Sequence, residues 1–128
     1  MDVDRQVEYW TTGSVEDLAA AESLVETGHL RQGLFLAHWA LEKMLKAHVV
    51  RTTRDVPPRI DNLARLAQLA GVKPDNEQER FLRGFAVYQM EEYHRDSQQV
   101  TLDSALARRE LQKTAEILHW LKSRLSTQ

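Results

Sequence analysis

Residues 28–50 read GHLRQGLFLAHWALEKMLKAHVV, and this stretch decides the fold. Leu30, Leu34, Ala37, His38, Leu41, Leu45 and His48 recur at three- and four-residue steps, the spacing that stacks side chains on one face of an α-helix. Leu36, Ala40, Met44 and Ala47 run beside them as a second apolar stripe. A helix this apolar has to be covered on two sides. Other helices of a small domain cover part of it, and a second copy of the chain is the natural cover for the rest. The run LFLAHWAL at residues 34–41 leaves no polar side for water. Phe35 and Trp39, four apart on the flank of Glu42 and Lys46, are therefore the expected centre of a homodimer interface with charges at its rim.

Working outward, Val3, Val7, Trp10, Ser14, Leu18, Ala21 and Val25 keep helical phase across Thr11, Thr12 and Gly13. One helix is expected over residues 4–27, although Ser14-Val15-Glu16-Asp17 has capping-box spacing and competes as a start signal. Gly28 ends it as a left-handed cap, and the connection is so short that the next helix must run antiparallel. That second helix should stop near Arg51, where Thr52, Thr53, Val56 and Pro57-Pro58 disfavour helix. Ile60, Leu63, Leu66, Ala67 and Ala70 give a short helix stopped by Gly71. Phe81, Leu82, Phe85, Tyr88 and Met90 mark a third long helix over residues 76–93, closed by HRDSQQ. Ala107, Leu111, Ala115, Leu118, Leu121 and Leu125 mark the last, over residues 102–125. The expected fold is all-α: an antiparallel up-and-down four-helix bundle with a short extra helix in its middle crossover.

Composition narrows the function classes. The 128 residues, 42% of them hydrophobic, suit a single domain spanning residues 1–128 with one core. No apolar run reaches the roughly 20 residues that span a bilayer, and MDVDRQVEYW is acidic and polar where a signal peptide is basic and then apolar. No membrane association and a cytoplasmic location are expected. The absence of cysteine removes thiolate catalysis and sulfur-bound zinc. A net charge of -2 argues against a general nucleic-acid coat protein and leaves room for a local basic site.

In order along the chain, the landmarks resemble the HEPN domain family, small helical proteins that prokaryotes often encode beside minimal nucleotidyltransferases. Trp10, Ser14, Asp17, Leu18 and Ala21 are similar to the family pattern on the first helix. Gly28 and then Ala37, Ala40, Glu42, Lys43, Leu45, Lys46 and Ala47 resemble its glycine turn and Ala-x-x-Ala-x-Glu-Lys-x-Leu-Lys-Ala helix. Pro57, Pro58, Tyr88 and Tyr93 also fit. Two departures matter. The short helix of the family often opens on a histidine, whereas Arg59, Ile60, Asp61 and Asn62 precede Leu63 here. Members that cleave RNA share Arg-x4-6-His near the end of the third long helix, whereas this chain has Glu92-Tyr93-His94-Arg95 and no further histidine until His119. The resemblance implies a nucleotidyltransferase partner in a toxin–antitoxin type pair, and the departures imply that efficient ribonuclease activity is absent.

Three constellations compete for the chemistry. Arg31 and His38 form one Arg-x6-His, but a match of this looseness arises by chance in a chain with so much arginine, and it sits in the wrong helix. His38 lies on an apolar stripe and reads as a core or interface histidine. Glu-x-x-His occurs as Glu91 with His94 and as Glu116 with His119, the di-metal carboxylate pattern of helical bundles, with Glu22 and Glu42 as candidate further ligands. A third copy, Glu26 with His29, spans the Gly28 turn and shows how easily the pattern arises, so solvated helix faces outweigh a metal site there. The third signal is charge: Lys43, Lys46, Arg51, Arg54 and Arg59 face only Asp55 across residues 43–59. Such a basic helix end and loop can anchor phosphates. The expectation is a nucleotide- or RNA-binding protein that uses Lys43, Lys46, Arg51, Arg54, His94 and Arg95, with Glu42 orienting Lys46 and Asp17 in support, and that calls for no cofactor. The di-metal bundle is the alternative.

Overall fold

A computed structural model describes residues 1–85 and 102–126. Among them the chain forms five helices and no strand: α1 (Val3–Glu26), α2 (Leu30–Thr53), α3 (Leu63–Ala70), α4 (Asn76–Gly84) and α5 (Ser104–Ser126). Short polar side chains start all of these but α2, whose N-cap His29 makes no such bond, by satisfying the first-turn amides. Asp2 accepts from the Arg5 amide, Asn62 from Arg65, Asp75 from Gln78 and Asp103 from Leu106. Gly28 follows α1 at φ 88° and Gly71 follows α3 at φ 76°, left-handed positions that glycine takes without strain.

The first helix is continuous through Thr11, Thr12 and Gly13. The competing start signal at Ser14 is unused because its hydroxyl has a tertiary partner: fully buried, it donates to the Ala40 carbonyl at 2.7 Å. α1 and α2 run antiparallel, meeting as Trp10 with Lys46, Ser14 with Ala40, and Val25 with Gly33. Their approach is closest at Gly33, where an added Cβ would lie 2.6 Å from Val25 Cγ2 and 3.0 Å from the Ala21 carbonyl.

α2 is the central helix, packed by α1, α3 and α5. Leu34, Ala37, Ala40, Leu41, Met44, Leu45 and Ala47 are all buried within the chain. That accounts for most of both apolar stripes, with Leu30 and Leu36 partly buried, and leaves Trp39, 46% exposed, beside a partly buried Phe35. His48 Nε2 bonds to the Leu121 carbonyl at 2.8 Å and ties α2 to α5. Phe85, the C-cap of α4, is buried edge-on against His38, with ring centroids 5.6 Å apart.

Two boundaries differ from the sequence expectation. α2 continues past Arg51 to Thr53, since Thr53 folds its hydroxyl back to the Val49 carbonyl and Thr52 donates to the Ala70 carbonyl at the end of α3. It then stops at Arg54, a left-handed cap at φ 58°. α3 begins at Leu63 because Asn62 takes the cap, so Ile60 precedes the helix. The third long helix is described only to Gly84, and the expected extension to residue 93, with Tyr88, Met90, Tyr93 and the HRDSQQ segment, lies outside the described residues.

Candidate functional site

His38, Glu42 and Lys46 follow one another at four-residue steps and so share one face of α2. His38 Nδ1 lies 3.8 Å from Glu42 Oε1, and Lys46 Nζ donates to Glu42 Oε2 at 2.8 Å. Glu42 thus holds a histidine on one side and a lysine on the other. Only 8% of Lys46 is exposed, and its ammonium also lies 5.5 Å from the centroid of the Trp10 ring on α1. A buried ammonium has to be compensated, and the carboxylate and the electron-rich ring face do this together.

The connection from α2 to α3 closes over this face. Held extended by Pro57-Pro58, it brings Arg59, Ile60, Asp61 and Asn62 opposite Glu42 and Lys46. These six residues line an open cleft of about 560 Å³. Two cations and two carboxylates in one cleft can engage an oxyanion and hydrogen-bond a polar group attached to it. Asn62 spends its carbonyl oxygen on capping α3. His38, 1% exposed beneath the cleft, has its pKa lowered to about 4 by burial, partly opposed by the negative charge of Asp61. Its imidazole is neutral at neutral pH.

The other basic residues named from sequence lie elsewhere. Lys43 turns to α1, where its stem covers Gly13 and its ammonium sits 2.8 Å from Asp17 Oδ2 as an ion pair without hydrogen-bond alignment. It lines a second cleft with Arg5, Glu8, Tyr9, Thr12, Gly13 and Glu16. Arg51 lines a third, with Asp4, Glu8, Thr11 and Lys122 among its neighbours. Arg54 is exposed at the α2 cap. The basic run of the sequence is thereby spread around α2. His94 and Arg95 lie outside the described residues.

The HEPN domain model matches residues 7–124, nearly the whole chain. The chain belongs to the HEPN family. No curated protein and no solved structure matches it. Membership places it among nucleotide- and RNA-related helical proteins. Of the α2 residues that resemble the family pattern, Glu42 and Lys46 line the cleft, while Ala37, Ala40 and Ala47 are buried and let neighbouring helices close in.

For the di-metal alternative, Glu22, Glu116 and His119 are all exposed, and Glu116 accepts from Gln112 on its own helix. Among the described residues, no three histidines or carboxylates are grouped to hold a metal ion. Glu91 and His94 lie outside them. Nor is any described helix long and apolar enough to cross a membrane.

Trp10 and Asp61 were missing from the sequence-derived site, and Arg59 was counted in the basic run but not among the named contacts. Arg59 and Asp61 bracket Ile60 in a stretch whose periodicity reads as the start of α3, which hid their place in a cleft wall. Trp10 reads as one more apolar residue on the core stripe of α1, and only the crossing of α1 over α2 brings it to Lys46.

Proposed function

We propose that this HEPN protein binds a phosphate-bearing ligand, a nucleotide or RNA, in the cleft between α2 and residues 59–62. The observation that carries the reading is a buried lysine, Lys46, held at a cleft wall that it shares with an exposed cation, Arg59. Burying an ammonium is costly, and a purely structural position is better filled by an apolar side chain. Glu42 orients Lys46, and Arg59 adds the planar fork that suits a phosphate. Lys43, Arg51 and Arg54 are secondary in this reading, since each serves a different part of the surface. His94 and Arg95 stay in it on the sequence alone.

With the site go the finer expectations drawn from the family resemblance. The chain acts in the cytoplasm beside a nucleotidyltransferase, as one half of a toxin–antitoxin type pair, and its architecture is an up-and-down four-helix bundle completed by the third long helix. It forms a homodimer through Phe35 and Trp39, supported by the exposure of Trp39 on the helix that also carries Lys46. Efficient ribonuclease activity is absent. Glu92 repels the phosphate that an arginine there would hold, and the described imidazole nearest the cleft, His38, is buried and a weak base.

Calorimetric titration of the pure protein with ATP and with a short oligoribonucleotide tests the reading. Saturable binding of either, weakened at least fivefold by Lys46→Ala, is expected. Binding of neither would refute it. Metal-independent RNA cleavage abolished by Arg95→Ala would refute the statement on ribonuclease activity.

A further inference from the structure

An ammonium has three N–H donors. At Lys46 one goes to Glu42 Oε2 at 2.8 Å, and the Trp10 ring, its centroid 5.5 Å from Nζ, attracts the charge through its electron-rich face. Two fixed partners leave donor capacity for the cleft that Lys46 lines. Without the ring, the four-carbon stem would be free to swing about its single remaining anchor on α2.

Trp10 carries a second sign of what its ring is for. Its indole Nε1–H is buried and has no acceptor. Such an orphan donor costs stability, and a phenyl ring would avoid that cost while still offering an apolar surface. The hydrogen bond is therefore not what this tryptophan supplies. Tyr9 packs against it edge-to-face, with centroids 5.1 Å apart and planes at 81°, which helps fix the plane that Lys46 meets.

We propose that Trp10 is a positioning residue of the cleft: from α1, its ring face holds the Lys46 ammonium so that the remaining donor meets a ligand oxyanion of the phosphate class. The inference rests on the reading of the cleft as a phosphate-ligand site. Trp10 does not touch the ligand. It acts through Lys46 alone, and this separates the role from a general contribution to packing.

A double-mutant cycle tests it, with a fluorescein-labelled oligoribonucleotide as the probe and anisotropy as the readout. Trp10→Phe keeps a ring face and should bind within about twofold of the wild type. Trp10→Leu should bind about five- to tenfold more weakly, as a lost cation–π partner implies. In a Lys46→Ala background, Trp10→Leu should cause no further loss. Additive losses in a binding protein would overturn the role of Trp10 and leave the cleft reading standing. A ligand-free measurement covers the case in which Trp10→Leu does not fold: the Lys46 ε-methylene NMR signals, assigned with Lys46→Arg, should be ring-current shifted in the wild type and in Trp10→Phe. Signals at the position of a solvated lysine would overturn the proposal. A shifted signal in a wild type that binds neither ATP nor the oligoribonucleotide would overturn the cleft reading, and the ligand-directed role of Trp10 with it.

Discussion

His38 and His48 give α2 two buried imidazoles, and burial lowers the pKa of both. At His48 the hydrogen bond to Leu121 works the other way, while Arg51 and Arg124 add to the lowering. In the unfolded chain each imidazole returns to its ordinary pKa of 6.5. The unfolded state thus binds more protons as pH falls below that value, so the stability contributed by a neutral His38 is present above pH 6.5 and lost progressively down to about pH 4. A separation of this size is worth about 3 kcal/mol. The urea midpoint should accordingly fall steeply between pH 6.5 and 4.5, and imidazole ¹⁵N shifts should show His38 neutral through that window. Titration of His38 near 6.5 would contradict its burial. Much of this was legible in the sequence, since a histidine on a stripe of leucines reads as a core histidine. The pairing of Glu42 with Lys46 followed from their spacing too, whereas the contact of His38 with Glu42 came only with the structure. Asp61 and Trp10 were not legible, because the first depends on the path of a loop and the second on how two helices cross.

The contact between α1 and α2 rests on small residues at the crossing. Ala substituted at Gly33 would place its methyl against Val25 Cγ2 and the Ala21 carbonyl, a helix backbone that cannot retreat without separating the pair. Gly33→Ala should destabilise the protein by about 1–3 kcal/mol in chemical denaturation, in spite of the better helix propensity of alanine. Gly13 presents the opposite case. Its added Cβ would meet only the Lys43 side chain, Cδ at 3.2 Å and Nζ at 3.5 Å, which is flexible and can shift. Gly13→Ala should therefore stabilise by about 0.5–1 kcal/mol, and a loss of stability would mean that the Lys43–Asp17 ion pair matters more than its partly exposed setting suggests. The helices themselves were legible from apolar period and cap residues, including the continuity of α1 across its weak formers. The misplaced ends were those set by side-chain hydrogen bonds, at Thr52, Thr53 and Asn62, which apolar periodicity does not register.

At the scale of the molecule, α1, α3 and α5 bury more of α2 than its sequence suggested, and the proposed homodimer is left with a narrower surface around Trp39 and Phe35. Light scattering coupled to size exclusion at micromolar concentration should give a dimeric mass that Trp39→Asp reduces to a monomer without unfolding. A monomeric wild type would remove the interface. The fold also spreads the basic residues, with Lys46 and Arg59 at one cleft, Lys43 and Arg51 each at another and Arg54 at the exposed cap of α2, which the linear run of charge concealed. Among the described basic residues, only Lys46 and Arg59 share the cleft with Glu42 and Asp61. The most direct test is the salt dependence of oligoribonucleotide binding, measured by anisotropy for the wild type and for single alanine substitutions at Lys46, Arg59, Arg51 and Arg54. Binding that loses about one unit of log–log salt slope on Lys46→Ala and again on Arg59→Ala, with Arg51→Ala and Arg54→Ala close to the wild type, is the predicted result. Equal losses at all four positions, or losses confined to Arg51 and Arg54, would contradict the cleft as the binding site.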